Sequence, residues 1–203
     1  MKKFVVTISR EFGSGGRLVG RQLAEALNVP FYDRELIELA AKKSGLSPDF
    51  IAQSEERASS SFAFGLAAGS QSGTGYFMQY DIPVNDRAFF AQSAVINELA
   101  EKNSCVIVGR CAGYILRDDP DCVNVFIFAP LDDRIRRSVE VYGLPEKGLA
   151  DKIVKADKGR SNYHKHYTGE NWLDARAYDL CINTGKVGVQ GAVNAITAYL
   201  EHR

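Results

Sequence analysis

The sequence predicts an α/β domain built on a doubly wound parallel sheet with helices on both faces. Three observations carry that reading. Short, continuous apolar runs of strand length alternate with amphipathic stretches of helical length along the 203 residues. Such runs are how strands buried on both faces read, and the alternation with helices is how parallel strands are connected. The first run, Phe4 to Ile8, leads straight into Ser9-Arg10-Glu11-Phe12-Gly13-Ser14-Gly15-Gly16-Arg17, a glycine-rich turn that opens a helix. A hydrophobic content of 45% at this length is enough for one well-buried core, so residues 1–203 are expected to form a single domain.

Taken in order, Phe4 to Ile8 is strand one. Helix one runs from Arg17 to Leu27, with Leu18 or Val19, Leu23, Ala26 and Leu27 as its buried stripe. Val29 to Asp33 is strand two, with Pro30 near its start, where a missing N–H is tolerated. Helix two spans Glu35 to Lys43 and ends at Ser44-Gly45. Ser47-Pro48-Asp49 then begins another helix, with Ser47 as N-cap and Pro48 in its first turn. Between Ala58 and Tyr80 there is no charged residue, and Gly and Ser alternate with Phe and Tyr. That stretch reads either as a surface loop or as a lid whose aromatics pack on closing. Asn85-Asp86 caps a long helix, Arg87 to Lys102, with Phe89, Phe90, Ile96 and Leu99 inward. Cys105 to Val108 is strand three, Ala112 to Leu116 a short helix, and Val123 to Ala129 strand four. Helices follow from Asp132 to Val141 and from Pro145 to Tyr167. Tyr178 to Asn183 is strand five, and Val189 to Leu200 the last helix, with Val189, Val193, Ile196 and Leu200 on one face. Five parallel strands with a glycine-rich turn after the first fit a P-loop nucleoside triphosphatase or kinase fold.

Composition excludes some functions. Lys plus Arg equals Asp plus Glu, 25 each, so no overall charge draws the chain to nucleic acid or to a membrane surface. No apolar run is long enough to span a bilayer, and the first apolar run is too short for a signal peptide. A cytoplasmic location is expected. The four cysteines have no C-x-x-C spacing, and Cys105, Cys122 and Cys181 read as small residues of buried strands. Cys111 differs because it follows a Gly-Arg pair. His164 and His166 are two apart, a spacing that does not face a helical pair toward one metal.

The chemistry gathers where the strands end. Gly13, Ser14, Gly15 and Gly16 offer backbone N–H groups to an anion, aided by the helix N-terminus. The turn departs from the G-x-x-x-x-G-K-[ST] phosphate loop: Gly16 stands where that pattern has lysine, and Arg17 comes next. Arg10 and Arg17 flank the turn. Asp33 and Arg34 follow strand two, Arg110 follows strand three, and Arg134, Arg136 and Arg137 lie on the helix after strand four. Arg160 lies farther along. In an open parallel sheet these positions share the ligand-binding edge, and arginines suit phosphate oxygens. Glu11 reads as exposed loop charge or as a contact to magnesium-bound water.

These residues resemble a known family. Ile8 to Arg17 resembles the N-terminal signature of the cytidylate kinase-like family. Phe31-Tyr32-Asp33, Val106-Ile107-Val108-Gly109-Arg110, Tyr163, Tyr167-Thr168-Gly169 and Tyr178-Asp179-Leu180-Cys181-Ile182-Asn183 match it too. The resemblance covers nearly the whole chain. It implies a nucleoside monophosphate kinase fold, with residues 44–92 as an acceptor-binding or lid insertion. It also implies small nucleotide substrates, ATP and magnesium, with phosphoryl transfer to CMP or dCMP. On that basis Arg10, Gly13, Ser14, Gly15, Gly16 and Arg17 bind the donor nucleotide. Asp33, Arg110 and Arg160 bind the acceptor, and Arg17, Arg110, Arg134 and Arg137 are the catalytic cations. Arg17 or Arg10 replaces the missing lysine. The bona fide cytidylate kinases carry an acidic residue where this chain has Val108 and an Asp where it has Cys111. Two alternatives follow from these departures: a kinase for another small acceptor, or a nucleotide-binding regulator without turnover.

Overall fold

A computed structural model describes residues 2–52 and 84–203. Its centre is β1 (Val5–Arg10), which pairs in parallel with β3 (Cys105–Val108) on one side and β4 (Cys122–Phe128) on the other. β2 (Phe31–Tyr32) adds outside β3, and β5 (Leu180–Asn183) outside β4, so the order is β2-β3-β1-β4-β5, all parallel. The chain thus runs from β1 to the edge strand β2, returns inward to β3, crosses β1 to β4 and ends at the other edge in β5. Where winding reverses, a crevice opens at the C-terminal ends of the strands.

Two apolar layers hold the sheet. On one face, α1 (Gly16–Leu27) and α7 (Thr184–Glu201) pack Val19, Leu23, Val193 and Ile196 against Val6, Ile8, Val108 and Ile127. On the other, α2 (Glu35–Ser44), α3 (Val84–Lys102) and α4 (Ala112–Ile115) pack Leu36, Ala40, Ile96 and Leu116 against Val5, Cys105 and Ile107. The split follows the period of two along β1: Val6 and Ile8 point one way, Val5 and Thr7 the other. Across the rest of the sheet edge lie α5 (Leu131–Glu140) and α6 (Leu149–Thr168).

The five expected strands and the helices between them form, with shifted ends. β2 keeps only two of the five residues expected from Val29 to Asp33. α6 begins at Leu149 rather than Pro145, because Gly148 takes a left-handed conformation (φ 71°) and caps it there. α7 starts a turn early at Thr184, with Asn183 accepting from the Gly185 N–H, and passes through Gly188 (φ 69°) before the expected start at Val189. Three burial expectations fail. Phe90 is 57% exposed because it lies about 100° round the helix from Phe89, off the Phe89–Gln92–Ile96 stripe. Ala26 is exposed for the same reason of phase, with Ala24 taking the buried place. Cys181 is exposed although it lies in a strand, because β5 is an edge strand and Ile182 takes its core-facing side. The uncharged Ala58–Tyr80 stretch lies outside the described residues. Among the described residues, no helix is long and apolar enough to cross a membrane.

Candidate active site

The turn after β1 is built by hydrogen bonds that each local residue supplies. The Glu11 N–H donates to the Ile127 carbonyl (3.0 Å), extending the β1–β4 pairing past the strand. The chain then reverses through Gly13 (φ 75°) and Gly15 (φ 85°), left-handed positions that suit glycine. At Gly13 space also demands it, since a Cβ would come within 2.7 Å of the Arg134 carbonyl oxygen. The Ser14 hydroxyl donates back to the Glu11 carbonyl (2.9 Å), so it stiffens the turn from inside. The N–H groups of Gly13, Gly15 and Gly16 have no partner among the described residues. With the N-terminus of α1 behind them, these donors make an anion cradle.

Charged side chains hold this turn from outside. The Arg134 guanidinium is buried and pairs with Glu11 (Nη1 to Oε2, 2.9 Å) and with Asp157. The same Glu11 oxygen accepts from the Ala129 N–H (3.2 Å), and Asp157 accepts from the Phe12 N–H (2.7 Å). Glu11, Arg134 and Asp157 are therefore one polar brace across β1, β4, α5 and α6. Thr184 donates to the Ser14 carbonyl and Arg137 Nη1 to the Gly13 carbonyl (2.9 Å). The Arg137 Nε also lies 3.3 Å from where a Cβ on Gly15 would be, so its guanidinium spans the turn.

Other expected site residues are brought together differently. Arg17 and Asp33, expected on the donor and acceptor sides, pair with each other (Nε to Oδ2, 2.6 Å). Arg34 is the residue on which α2 starts. After β3 the backbone runs through Gly109, Arg110 and Cys111 with φ of 79°, 57° and 54°, three left-handed residues in succession. The Arg110 Nη1 donates to the Ile51 carbonyl (3.4 Å). Arg160 donates to the Arg10 carbonyl (3.0 Å) and lies over the Phe12 ring, 5.6 Å from its centroid.

Arg10, Arg110 and Arg160 border one cavity of about 20 Å³, with Tyr163 and His164 beside them. That is room for about one water, or for one oxygen of a phosphate. Three permanent cations at one small opening concentrate positive potential at the ends of β1 and β3. His164 is buried, and burial lowers its pKa below the ordinary 6.5. Its Nδ1 lies 3.0 Å from the Thr168 hydroxyl. α3 is tied to this region by Phe89, which stacks on Tyr167 at 4.1 Å between centroids.

A directly liganded magnesium does not fit the described residues. Position 17, a hydroxyl in the standard phosphate loop, holds Arg17, while Glu11 and Asp33 are both engaged by arginines. No group of three or more His, Cys, Asp or Glu side chains among the described residues gathers to hold a metal. Sequence reasoning missed Asp157 and Thr184. Asp157 stands three residues before Arg160 on α6, the one local signal that marked it; Thr184 left none, because its partner is a backbone carbonyl 170 positions away.

A parallel sheet of this order, with a glycine-rich turn between its central strand and the following helix, defines the P-loop kinase fold. The cytidylate kinase-like family model matches residues 5–186, and the chain belongs to that family. It is 25% identical over 199 residues to the cytidylate kinase of Staphylothermus marinus, covering 97% of this chain and 96% of that one. A crystal structure of an uncharacterized protein from Eubacterium ventriosum superposes with a TM-score of 0.72 at 32% identity, covering 99% of this chain and 100% of the other. The shikimate kinase of Bacteroides thetaiotaomicron shares the fold, with a TM-score of 0.56 at 16% identity over 98% of this chain and 99% of that one.

Proposed function

We propose that the protein transfers the γ-phosphoryl group of ATP to a nucleoside monophosphate, CMP or dCMP. The observation that carries this is the meeting of two anion sites at one sheet edge. One is the cradle of Gly13, Gly15 and Gly16 N–H groups; the other is the cavity bordered by Arg10, Arg110 and Arg160. Two phosphates brought to adjoining sites are what phosphoryl transfer requires. The relatives named cytidylate kinase support the acceptor.

In this reading the cradle holds the donor phosphates and Arg137 neutralises them from above the turn. Arg110 and Arg160 grip the acceptor phosphate, Asp33 orients the acceptor nucleotide, and residues 44–92 form the acceptor-side insertion. An acceptor phosphate oxygen bonds to the γ-phosphorus as the bond from that phosphorus to the β,γ-bridging oxygen breaks, and ADP leaves with the electron pair. The acceptor is already an anion, so no general base is needed. Fixed cations and donors stabilise the charge spread over the transferring group. Arg134 acts at one remove, by positioning the turn.

A second reading, nucleotide binding without turnover, is favoured by Gly16 at the lysine position and by the engagement of Arg17 with Asp33. ADP formation from magnesium-ATP, measured against a panel of nucleoside monophosphates and small alcohols, separates the readings. CMP or dCMP should be the best acceptors. ATP binding with no turnover on any acceptor would sink the kinase reading, and turnover on a non-nucleotide alone would sink the CMP reading. Arg110→Ala should reduce acceptor use by about 10²-fold while leaving ATP affinity nearly intact. Equal loss of both would contradict its place on the acceptor side.

A further inference from the structure

Aligned on Gly15 as the second glycine of G-x-x-x-x-G-K-[ST], the turn departs at positions 10, 16 and 17, and the first two of these have traded contents. Arg10 stands at the first glycine, and Gly16 stands at the lysine. We infer that this is an exchange of function: Arg10, from the end of β1, supplies the phosphate-loop cation that lysine supplies from the helix in the standard loop, and Gly16 makes room for it. The inference deepens the kinase reading and rests on it.

The geometry couples the two positions. A Cβ on Gly16 would lie 2.5 Å from the Arg10 Cβ, 3.1 Å from its Cγ and 3.3 Å from the Ile127 Cβ. The obstacles are the roots of side chains on two central strands, not flexible tips, so they cannot step aside. With this backbone, either position 10 or position 16 carries a side chain. Glycine followed by lysine is one solution; arginine followed by glycine is the other. From Gly16 the Arg10 side chain runs across to Gly109, where its guanidinium lies so close that a Cβ on Gly109 would overlap Nη1. Glycines thus flank both ends of the side chain.

Its head borders the small cavity with Arg110 and Arg160, between the donor cradle and the acceptor side. The two candidates for the loop cation differ in how they are engaged. Arg17 is bound by Asp33. Among the described residues, no carboxylate oxygen lies within 4.0 Å of the Arg10 guanidinium. A planar cation with no carboxylate beside it among the described residues, aimed along glycine walls at this edge, is fitted to two oxygens of the donor's terminal phosphates.

The test uses the full chain, with magnesium-ATP and ADP affinity by calorimetry, ADP formation with CMP, and a thermal melt for every variant. Arg10→Met keeps the stem against Gly16 and removes the charge. It should slow turnover by about 10²-fold or more and weaken ATP binding more than ADP binding. Arg17→Ala should weaken ATP less. Gly16→Lys alone should lower the melting temperature and activity together. Adding Arg10→Gly to it should raise the melting temperature again and return turnover at least about tenfold above Arg10→Met, because the cation is back in a place the backbone allows. If Arg10→Met binds and turns over ATP as the parent does, or if the double variant melts and works no better than Gly16→Lys, the exchange is wrong while the kinase reading stands. A parent chain that neither binds ATP nor forms ADP overturns both, and does so before any variant is made.

Discussion

The turn after β1 and the turn after β3 lie side by side at one sheet edge, yet they are built on opposite principles. The first places glycines at its left-handed positions, Gly13 and Gly15, and is braced from outside by Arg134, Arg137 and Thr184. The second uses glycine once and then holds Arg110 and Cys111 left-handed. For residues with a Cβ that conformation costs about 1–2 kcal/mol each. A turn that presents its backbone to a ligand can be made of glycine. A turn that presents a side chain cannot, and it carries the strain instead. The difference separates a backbone anion site from a side-chain anion site.

The brace is where the comparison breaks with the largest effect. Arg134→Met leaves Glu11 and Asp157 facing each other without their cation. Their side chains are 20% and 18% exposed, so water relieves part of the repulsion. The expected loss is about 3 kcal/mol, the lower end for a broken buried pair, read by urea denaturation. Arg137→Ala, which removes a bond to a carbonyl but no buried charge pair, should cost far less stability and more ATP affinity. Equal destabilisation by the two would mean that the turn has no brace distinct from its phosphate contacts.

The next test takes the glycine from the first turn. Gly13→Ala adds a Cβ at φ 75°, within 2.7 Å of the Arg134 carbonyl oxygen and the Ser138 hydroxyl. About 2 kcal/mol should be lost from conformation and crowding together. A neutral result by the same denaturation measurement would show that the turn relaxes freely and that its glycines serve flexibility alone.

What the sequence revealed, and what it hid, follows the same division between local and long-range causes. The five strands and the site edge were legible because buried parallel strands are continuous apolar runs, and because glycine spacing is local. Arg10, Gly13, Gly16 and Arg110 were visible as residue types in a pattern. The Glu11–Arg134–Asp157 brace was not, since its charges come from three segments and each looks like solvated surface in its own window. The pairing of Arg17 with Asp33 was hidden likewise: 16 positions and a whole helix separate them, and each was marked for a different ligand. The obstruction between positions 10 and 16 is the subtlest case, because a glycine gives no sign in sequence of which neighbour excluded its side chain.

In the second turn the sign of the glycine effect should reverse. Cys111→Gly removes a left-handed residue that bears a Cβ. Relief of that strain, less the added entropy of glycine in the unfolded chain, should stabilise by about 0.5–1 kcal/mol. Gly13→Ala and Cys111→Gly then shift the denaturation midpoint in opposite directions. A loss from both would mean that Cys111 is held by side-chain contacts stronger than its backbone strain.

The smallest effect is a pH dependence that belongs to the side-chain site alone. His164 borders the arginine cavity, and burial holds its pKa below 6.5. The unfolded chain, with an ordinary histidine, therefore binds the proton first as the medium is acidified. Stability from this residue is complete above pH 6.5 and declines as pH falls through the lower, folded value. Above that window it should be flat. His164→Gln removes the titration, so the gap in melting temperature between about pH 7.5 and about pH 5.5 should narrow relative to the parent chain. The glycines of the turn after β1 carry no titrating side chain, and Gly13→Ala should leave that gap unchanged. If the gap widens in His164→Gln, the protonated ring is the form the fold prefers, and the cluster of arginines at the end of β3 is less positive around His164 than its geometry implies.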